Sequence, residues 1–170
     1  PSVVYGFFGL VIIVPFVRLL GPGTGLSVLA ASLILGIMIL PTVITVAQSA
    51  LDAVPARYYE GALALGVDHE HAVFKVVAPA AASGIMAAIV LGLGRAIGET
   101  MAVVMVAGNM PIIPDSLLSG VRTMTANIVM EMGYATDLHR EALIATAVVL
   151  FVFILIINVT FSLLRRKDRA

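Results

Sequence analysis

Residues 79–108 form an apolar run of 30 residues that carries two charges, Arg95 and Glu99. About 20 apolar residues are enough for a helix to cross the hydrocarbon core of a bilayer. Charged side chains at that depth are costly, and they usually face a cavity, a partner or a substrate path. The run therefore predicts a membrane helix, and the two charges make residues 92–100 the first candidate for a functional site.

The composition of the chain also indicates an integral membrane protein. Its 170 residues are 61% hydrophobic and 12% charged, with a mean hydropathy of +1.10, whereas soluble domains are about 45–50% apolar and about 25% charged.

The zero net charge gives no reason to expect nucleic-acid binding. The absence of cysteine excludes disulfides and thiolate metal sites, and we expect neither a metal site nor a cofactor. The chain begins at Pro1 with apolar residues, and we expect it to be N-terminally incomplete.

Three further apolar segments, residues 3–20, 26–47 and 142–164, give about four predicted spans in a polytopic all-α helix bundle. Pro15 is expected to break the first segment, and Pro41 is expected to kink the second. The 79–108 run exceeds the bilayer thickness, so it must tilt, bend or project.

A polar stripe follows Pro41 in the second predicted span. Thr42, Thr45 and Ser49 lie on one helix face. Either their hydroxyls bond back to the helix or a neighbour, or they line a pore.

Residues 50–78 differ from the spans because they are rich in charge. The sequence predicts a short amphipathic helix over 56–65, a cap at Gly66 and a second helical piece after Asp68. His69 and His71 are two residues apart and do not share a helix face, so a solvated loop is favoured over a metal site.

Basic residues predict the topology. The side that holds residues 50–78 and the C-terminus carries six Lys and Arg, namely Arg57, Lys75, Arg165, Arg166, Lys167 and Arg169. The other side carries Arg18, Arg122 and Arg140, and we read the last two as solvated loop charges. The basic side, including the C-terminus, should be cytoplasmic.

The sequence of this predicted cytoplasmic loop resembles the EAA loop of ABC-importer permeases. Glu60, Ala62, Gly66 and Pro79 match that pattern, and Gly61 replaces its first alanine. The resemblance implies a MetI-like permease fold, with one transmembrane domain over residues 1–170 and a coupling loop over 50–78 that contacts an ATPase subunit. An interfacial amphipathic helix is the alternative.

Residues 94–103 resemble the phosphate-specific transport permeases. The PstC and PstA subunits of these systems share an Arg-Ala-x-Gly-Glu-Thr core, which here begins at Arg95, and the Met-Ala-Val that follows favours the PstC type. The resemblance implies a non-enzymatic permease subunit of an ATP-driven phosphate importer in a bacterial or archaeal plasma (inner) membrane. Its implied partners are ATPase subunits, a second permease subunit and a phosphate-binding protein, and two further spans are expected upstream.

Arg95, Glu99 and Thr100 are the residues of the predicted substrate path. Arg95 precedes Glu99 by four positions, the less stabilising order for a pair on one helix. The pair is either a buried ion pair that joins two helices, or a site where the Arg95 guanidinium binds an oxyanion. In the second case Glu99 would hold Arg95 when no anion is present. Gly94 and Gly98 predict close helix packing. A dinucleotide fingerprint is excluded because Ile97 replaces its third glycine and no strand precedes it.

Other functions stay open at this point. One arginine does not distinguish phosphate from another oxyanion such as sulfate or molybdate, and the PstA-type subunit is a close alternative. An ion channel with Arg95 as its selectivity charge would conduct without ATP. A membrane scaffold would need Arg95 for assembly rather than for flux.

Overall fold

The computed structural model describes the backbone of residues 1–167 and the side chains up to Phe161. Its helices are α1 (Ser2–Arg18), α2 (Val28–Asp52), α3 (Ala56–Ala64), α4 (His69–Ala80), α5 (Ala82–Ile97), α6 (Met101–Val106), α7 (Met124–Glu131) and α8 (Asp137–Lys167). The described residues contain one isolated bridge, between Gly108 and Val121, and no longer strand. The all-α prediction is confirmed. The basic side chains after Phe161, on which the topology prediction depends, lie outside the described part.

Two helices are long and apolar enough to cross a membrane: α2, with a hydropathy of 2.4, and the Asp137–Phe161 part of α8, with a hydropathy of 2.9. Helices α4 and α5 meet the same test only as a pair, and they are bent by 70°. Helix α1 is apolar but shorter. The four predicted spans thus correspond to two continuous helices, one bent pair and one short helix.

The 79–108 run is not the single helix that the sequence predicted. It breaks at Ala81, between α4 and α5, and again at residues 98–100, between α5 and α6. Gly98 has a poor helix propensity, and Thr100 leaves the helical region with φ −120° and ψ −56°. Arg95 and Glu99 therefore do not share a helix, because α5 ends at Ile97.

Pro15 and Pro79 do not end their helices. Each is preceded by a five-residue π-helical turn, Gly9–Ile13 or Val73–Val77, which ends two residues before the proline. A proline in a helix lacks an N–H and clashes with the carbonyl four residues earlier. A π-helical turn is wider than an α-helical turn, so it changes which carbonyl faces the proline. The expected break at Pro15 is therefore wrong.

Helix α2 continues through Pro41. The Thr45 hydroxyl donates to the Pro41 carbonyl at 2.8 Å, and the Ser49 hydroxyl donates to the Thr45 carbonyl at 2.9 Å. These two hydroxyls of the predicted polar stripe therefore bond back to their own helix.

The chain forms two compact units. The first comprises residues 1–39 and 95–156, and the second comprises residues 40–94 and the end of α8. The core of the first unit is a cluster of buried residues from α1, α2 and α6, namely Val14, Val17, Ala30, Ala31, Val103, Val106 and Ala107. Ser27 begins α2 there, and its buried hydroxyl accepts from the Ala30 N–H at 3.2 Å.

Two glycines allow α1 to pack closely inside the first unit. A Cβ at Gly6 would lie 2.9 Å from the Ala102 Cα, and a Cβ at Gly9 would lie 2.6 Å from Cγ1 of Ile34. At Gly36, by contrast, a Cβ would meet nothing within 4 Å among the described residues.

Alanine at Gly6 and at Gly36 should change stability in opposite directions. Gly6→Ala is expected to destabilise the protein by about 1–3 kcal/mol because the added carbon meets backbone. Gly36→Ala should stabilise it by about 0.5–1 kcal/mol because glycine loses more conformational entropy in a helix. Thermal unfolding midpoints in detergent measure both, and equal shifts for the two variants would contradict the packing described.

Candidate functional site

The stretch at 98–100 is a non-helical connection inside an apolar region. Arg95 lies in the last turn of α5 and is exposed, whereas Glu99 and Thr100 are partly buried in the connection. The Glu99 N–H donates to the Ala96 carbonyl at 3.2 Å. Non-helical backbone at membrane depth is tolerated where it is buried in protein or lines a water-filled cavity. The connection is thus a suitable place for polar groups to meet a solute.

The Glu99 carboxylate stabilises the start of the next helix. Its Oε1 accepts a hydrogen bond from the Ala102 N–H at 3.1 Å, which satisfies one of the free amides at the start of α6. The Glu99 main-chain carbonyl accepts from the Thr125 hydroxyl at 3.3 Å. Helix α7 is thereby attached to the connection, a contact that no sequence pattern indicated.

The predicted packing of Gly94 does not occur within the described part of the chain, where a Cβ at Gly94 would meet no atom within 4 Å. Packing at Gly94 and Gly98 stays a prediction that concerns other chains. The close approach in the second unit is instead at Gly84, where a Cβ would collide with the side chain of Ala50. Sequence reasoning missed Gly84.

Arg122 is not the solvated loop charge that we expected, since its side chain is only 21% exposed. Its Nε donates to the Asn109 carbonyl at 3.0 Å, and its Nη1 donates to Oε1 of Glu131 at 2.8 Å and to Oδ1 of Asn127 at 3.3 Å. His139 Nε2 lies 3.7 Å from the other oxygen of Glu131. This network joins α7 to the loop before it and brings Glu131 close to His139 at the start of α8.

The 50–78 segment contains the helix and the turn that the sequence predicted. After α3, Gly66 adopts φ +81°, its N–H donates to the Leu63 carbonyl, and the Val67 N–H donates to the Ala62 carbonyl. This is the Schellman arrangement that glycine favours. The Tyr59 hydroxyl lies 2.8 Å from Nδ1 of His69, which links α3 to α4.

Asp68 begins α4 as an N-cap. Its Oδ1 accepts from the His71 N–H at 2.8 Å and lies 2.7 Å from the Nδ1 of the same histidine. Two hydrogen bonds from His71 hold the pKa of Asp68 below its ordinary value of 3.8, and the one from the backbone N–H has a larger effect than the one from the side chain. The cap therefore contributes fully above pH 3.8, and its contribution is lost as the pH falls through the lowered pKa.

Several residues of the 50–78 segment are exposed on α3, on its C-terminal turn and on α4. Glu60 and Gly61 are exposed, and a Cβ at Gly61 would meet nothing within 4 Å. Leu65 is 86% exposed and Phe74 is 72% exposed, whereas Ala62 is buried. Of the predicted coupling-loop residues, Ala62 therefore packs inward, and Glu60, Gly61 and Gly66 are available to a partner.

A groove of about 320 Å³ lies next to this segment within the second unit. Most of its lining residues have small side chains, and they come from α2, α3, α4, α5 and the connections between these helices, namely Ala50, Ala53, Val54, Pro55, Tyr58, Ala80, Ala81, Ser83 and Gly84. No group of three or more His, Asp or Glu suited to a metal ion occurs among the described residues.

Comparison with known proteins agrees with this architecture. The family described as "binding-protein-dependent transport system inner membrane component" matches residues 1–169. The probable ABC transporter permease protein YqgH of Bacillus subtilis is 41% identical over 98% of this chain and 56% of its own length. The phosphate transport system permease proteins PstC of Mesorhizobium japonicum and PstC 1 of Mycobacterium tuberculosis are 34% and 37% identical, over 99% and 87% of this chain and 58% and 46% of their own. The chain thus spans about half of each relative, and no solved structure matches.

Proposed function

Because the chain belongs to the family of binding-protein-dependent transport system inner membrane components, we propose that it is a permease subunit of an ATP-driven importer for inorganic phosphate. The observation that carries the proposal is the interrupted apolar segment, in which Arg95 lies in the last turn of α5, before a non-helical connection that holds Glu99 and Thr100. Similarity to phosphate permeases over nearly the whole chain supports phosphate as the solute.

In this proposal Arg95 contacts the anion during its passage. A guanidinium offers two parallel N–H groups to a phosphate oxyanion. A water-filled path beside this non-helical segment would admit the anion while α5 keeps the backbone of Arg95 satisfied. A path also requires weak binding, because tight binding prevents release. Glu99 and Thr100 supply a negative charge and a hydroxyl four and five residues after the cation, and a negative charge along the path limits its affinity for the anion.

The exposed residues of the 50–78 segment form the proposed contact with the ATPase subunit. Exposed Leu65 and Phe74 offer apolar area, Glu60 offers a charge, and Gly61 allows close approach. The Gly66 turn and the Asp68 cap fix the two helices of the segment relative to each other, so a force on α3 reaches α4 and, through the bend at Ala81, α5. In this orientation the C-terminus is cytoplasmic. A second permease subunit and a phosphate-binding protein complete the complex.

The test is uptake by the full-length protein reconstituted in liposomes with its ATPase, its second permease subunit and the binding protein. We expect radiolabelled phosphate to accumulate only when ATP is present on the ATPase side, and excess unlabelled sulfate or molybdate should leave this uptake unchanged. Competition by sulfate or molybdate would assign another oxyanion, and phosphate flux without ATP would indicate a channel.

A further inference from the structure

A hydrogen bond between distant parts of the chain holds the connection between α5 and α6. The Thr125 hydroxyl donates to the Glu99 carbonyl across 26 positions of sequence, at 3.3 Å. The helical hydrogen bonds of α6 begin with the one from the Val104 N–H to the Thr100 carbonyl, at 2.9 Å. The Glu99 carbonyl lies one residue before the first carbonyl in this series. Such a carbonyl needs another donor if it is removed from water, and Thr125 provides one.

The direction of the hydrogen bonds around Thr125 follows from its single hydroxyl proton. Because that proton goes to the Glu99 carbonyl, Thr123 must donate in the 3.1 Å contact between the two hydroxyls. Thr123 in turn accepts from the Ala126 N–H at 3.3 Å as the N-cap of α7. A continuous chain of donors therefore runs from the Ala126 amide through Thr123 and Thr125 to Glu99, and bonds in such a chain strengthen one another.

The start of α7 is itself firmly held. Ala126 is completely buried. Arg122, one residue before the cap, bonds to the Asn109 carbonyl on one side and to Glu131 on the other. Thr125 is therefore placed by a rigid support, whereas residues 98–100 lie outside the helices before and after them.

We propose that Thr125 is a positioning residue for the substrate path. Through the Glu99 carbonyl it holds residues 98–100 in place, and it thereby sets where the Glu99 carboxylate stands. Its effect on transport rests on the function proposed above, but its effect on the position of residues 98–100 does not.

The transport arm compares Thr125→Val, which removes the hydroxyl at nearly constant volume, with Thr125→Ser, which keeps it. Thr125→Val is expected to lower the maximal rate of phosphate uptake roughly three- to tenfold, as for one lost hydrogen bond, with less effect on the half-saturating phosphate concentration. Thr125→Ser should restore the rate. Thr146→Val is the matched control, because the Thr146 hydroxyl donates back to the Ala142 carbonyl of its own helix, and its uptake should equal that of the wild type.

The second arm needs no substrate. The 170 residues contain no cysteine, so a single cysteine at Thr100 can be alkylated by a water-soluble maleimide after any cysteines elsewhere in the full-length protein are replaced. Thr125→Val should accelerate this alkylation, and Thr146→Val should not. If valine prevents accumulation in the membrane, Thr125→Ala takes its place. Unchanged alkylation, or equal acceleration by the control, would overturn the inference. Faster alkylation of the Thr100→Cys variant, together with no ATP-dependent phosphate uptake by the complex with an unaltered Thr100, would refute only the proposed function.

Discussion

Arg95→Ala is expected to abolish ATP-dependent phosphate uptake, with a loss of at least about a hundredfold. Hydrogen bonds between charged groups contribute about 1.5–3 kcal/mol each, and a guanidinium makes two of them to an oxyanion. Every 1.36 kcal/mol is a tenfold change in rate, so the loss of both bonds in the rate-limiting passage removes most of the flux. Initial rates of radiolabelled phosphate uptake, normalised to the amount of assembled complex, measure the effect.

The same variant should leave assembly largely intact. Arg95 is exposed at the end of α5, where a cation interacts with the helix dipole by about 0.3–1 kcal/mol. Arg140→Ala is the matched control, because it removes another exposed arginine, near the start of α8, and uptake should stay normal. Arg95→Lys keeps the charge but loses the planar fork, so it should restore only part of the rate.

Two results would decide against a role in the path. Normal uptake by Arg95→Ala would show that the guanidinium does not contact the anion in the slow step. A loss of assembled complex with a normal rate per complex would instead favour the scaffold function, in which Arg95 matters for assembly.

Features that depend on neighbouring residues could be predicted from the sequence. The turn at Gly66 needs a positive φ, and the cap at Asp68 needs a short acceptor side chain, so each follows from one residue and its immediate context. The long helices α2 and α8 follow from uninterrupted apolar runs. Hydropathy did not predict the breaks at Ala81 and at 98–100, because Ala81 is as apolar as its neighbours and the single charge of Glu99 hardly changes the mean hydropathy of a 30-residue apolar run.

The polar part of the site depends on tertiary contacts, which spacing alone does not contain. Thr125 meets Glu99 from 26 residues away, and Arg122 meets Glu131 from nine residues away. The first pair requires the loop after α6 to return toward residue 99, and no periodic signal in the sequence indicates that return. The Arg95–Glu99 spacing suggested one helix face, but Gly98 and the bond to Thr125 favour a break between the two.

Glu60→Lys is expected to reduce the amount of ATPase that co-purifies with the full-length protein by at least about tenfold. Glu60 is exposed on α3, beside the open surface at Gly61, so reversing its charge should not disturb the fold. In a contact formed with Glu60, the reversal replaces attraction with like-charge repulsion worth several kcal/mol, and each 1.4 kcal/mol is tenfold in affinity. Affinity purification from membranes, with the ratio of ATPase to permease quantified, measures this change.

The control for this prediction is Glu141→Lys. Glu141 is also an exposed glutamate on a helix, but it lies in α8, outside the 50–78 segment. It should leave the ATPase ratio unchanged, which separates a local contact from a general effect of positive charge. ATP hydrolysis stimulated by the loaded binding protein should fall in parallel with the ratio in the Glu60 variant. Because Leu65 and Phe74 still offer apolar area, a residual complex is expected. A full complement of ATPase together with normal stimulated hydrolysis would place the coupling contact elsewhere on the chain.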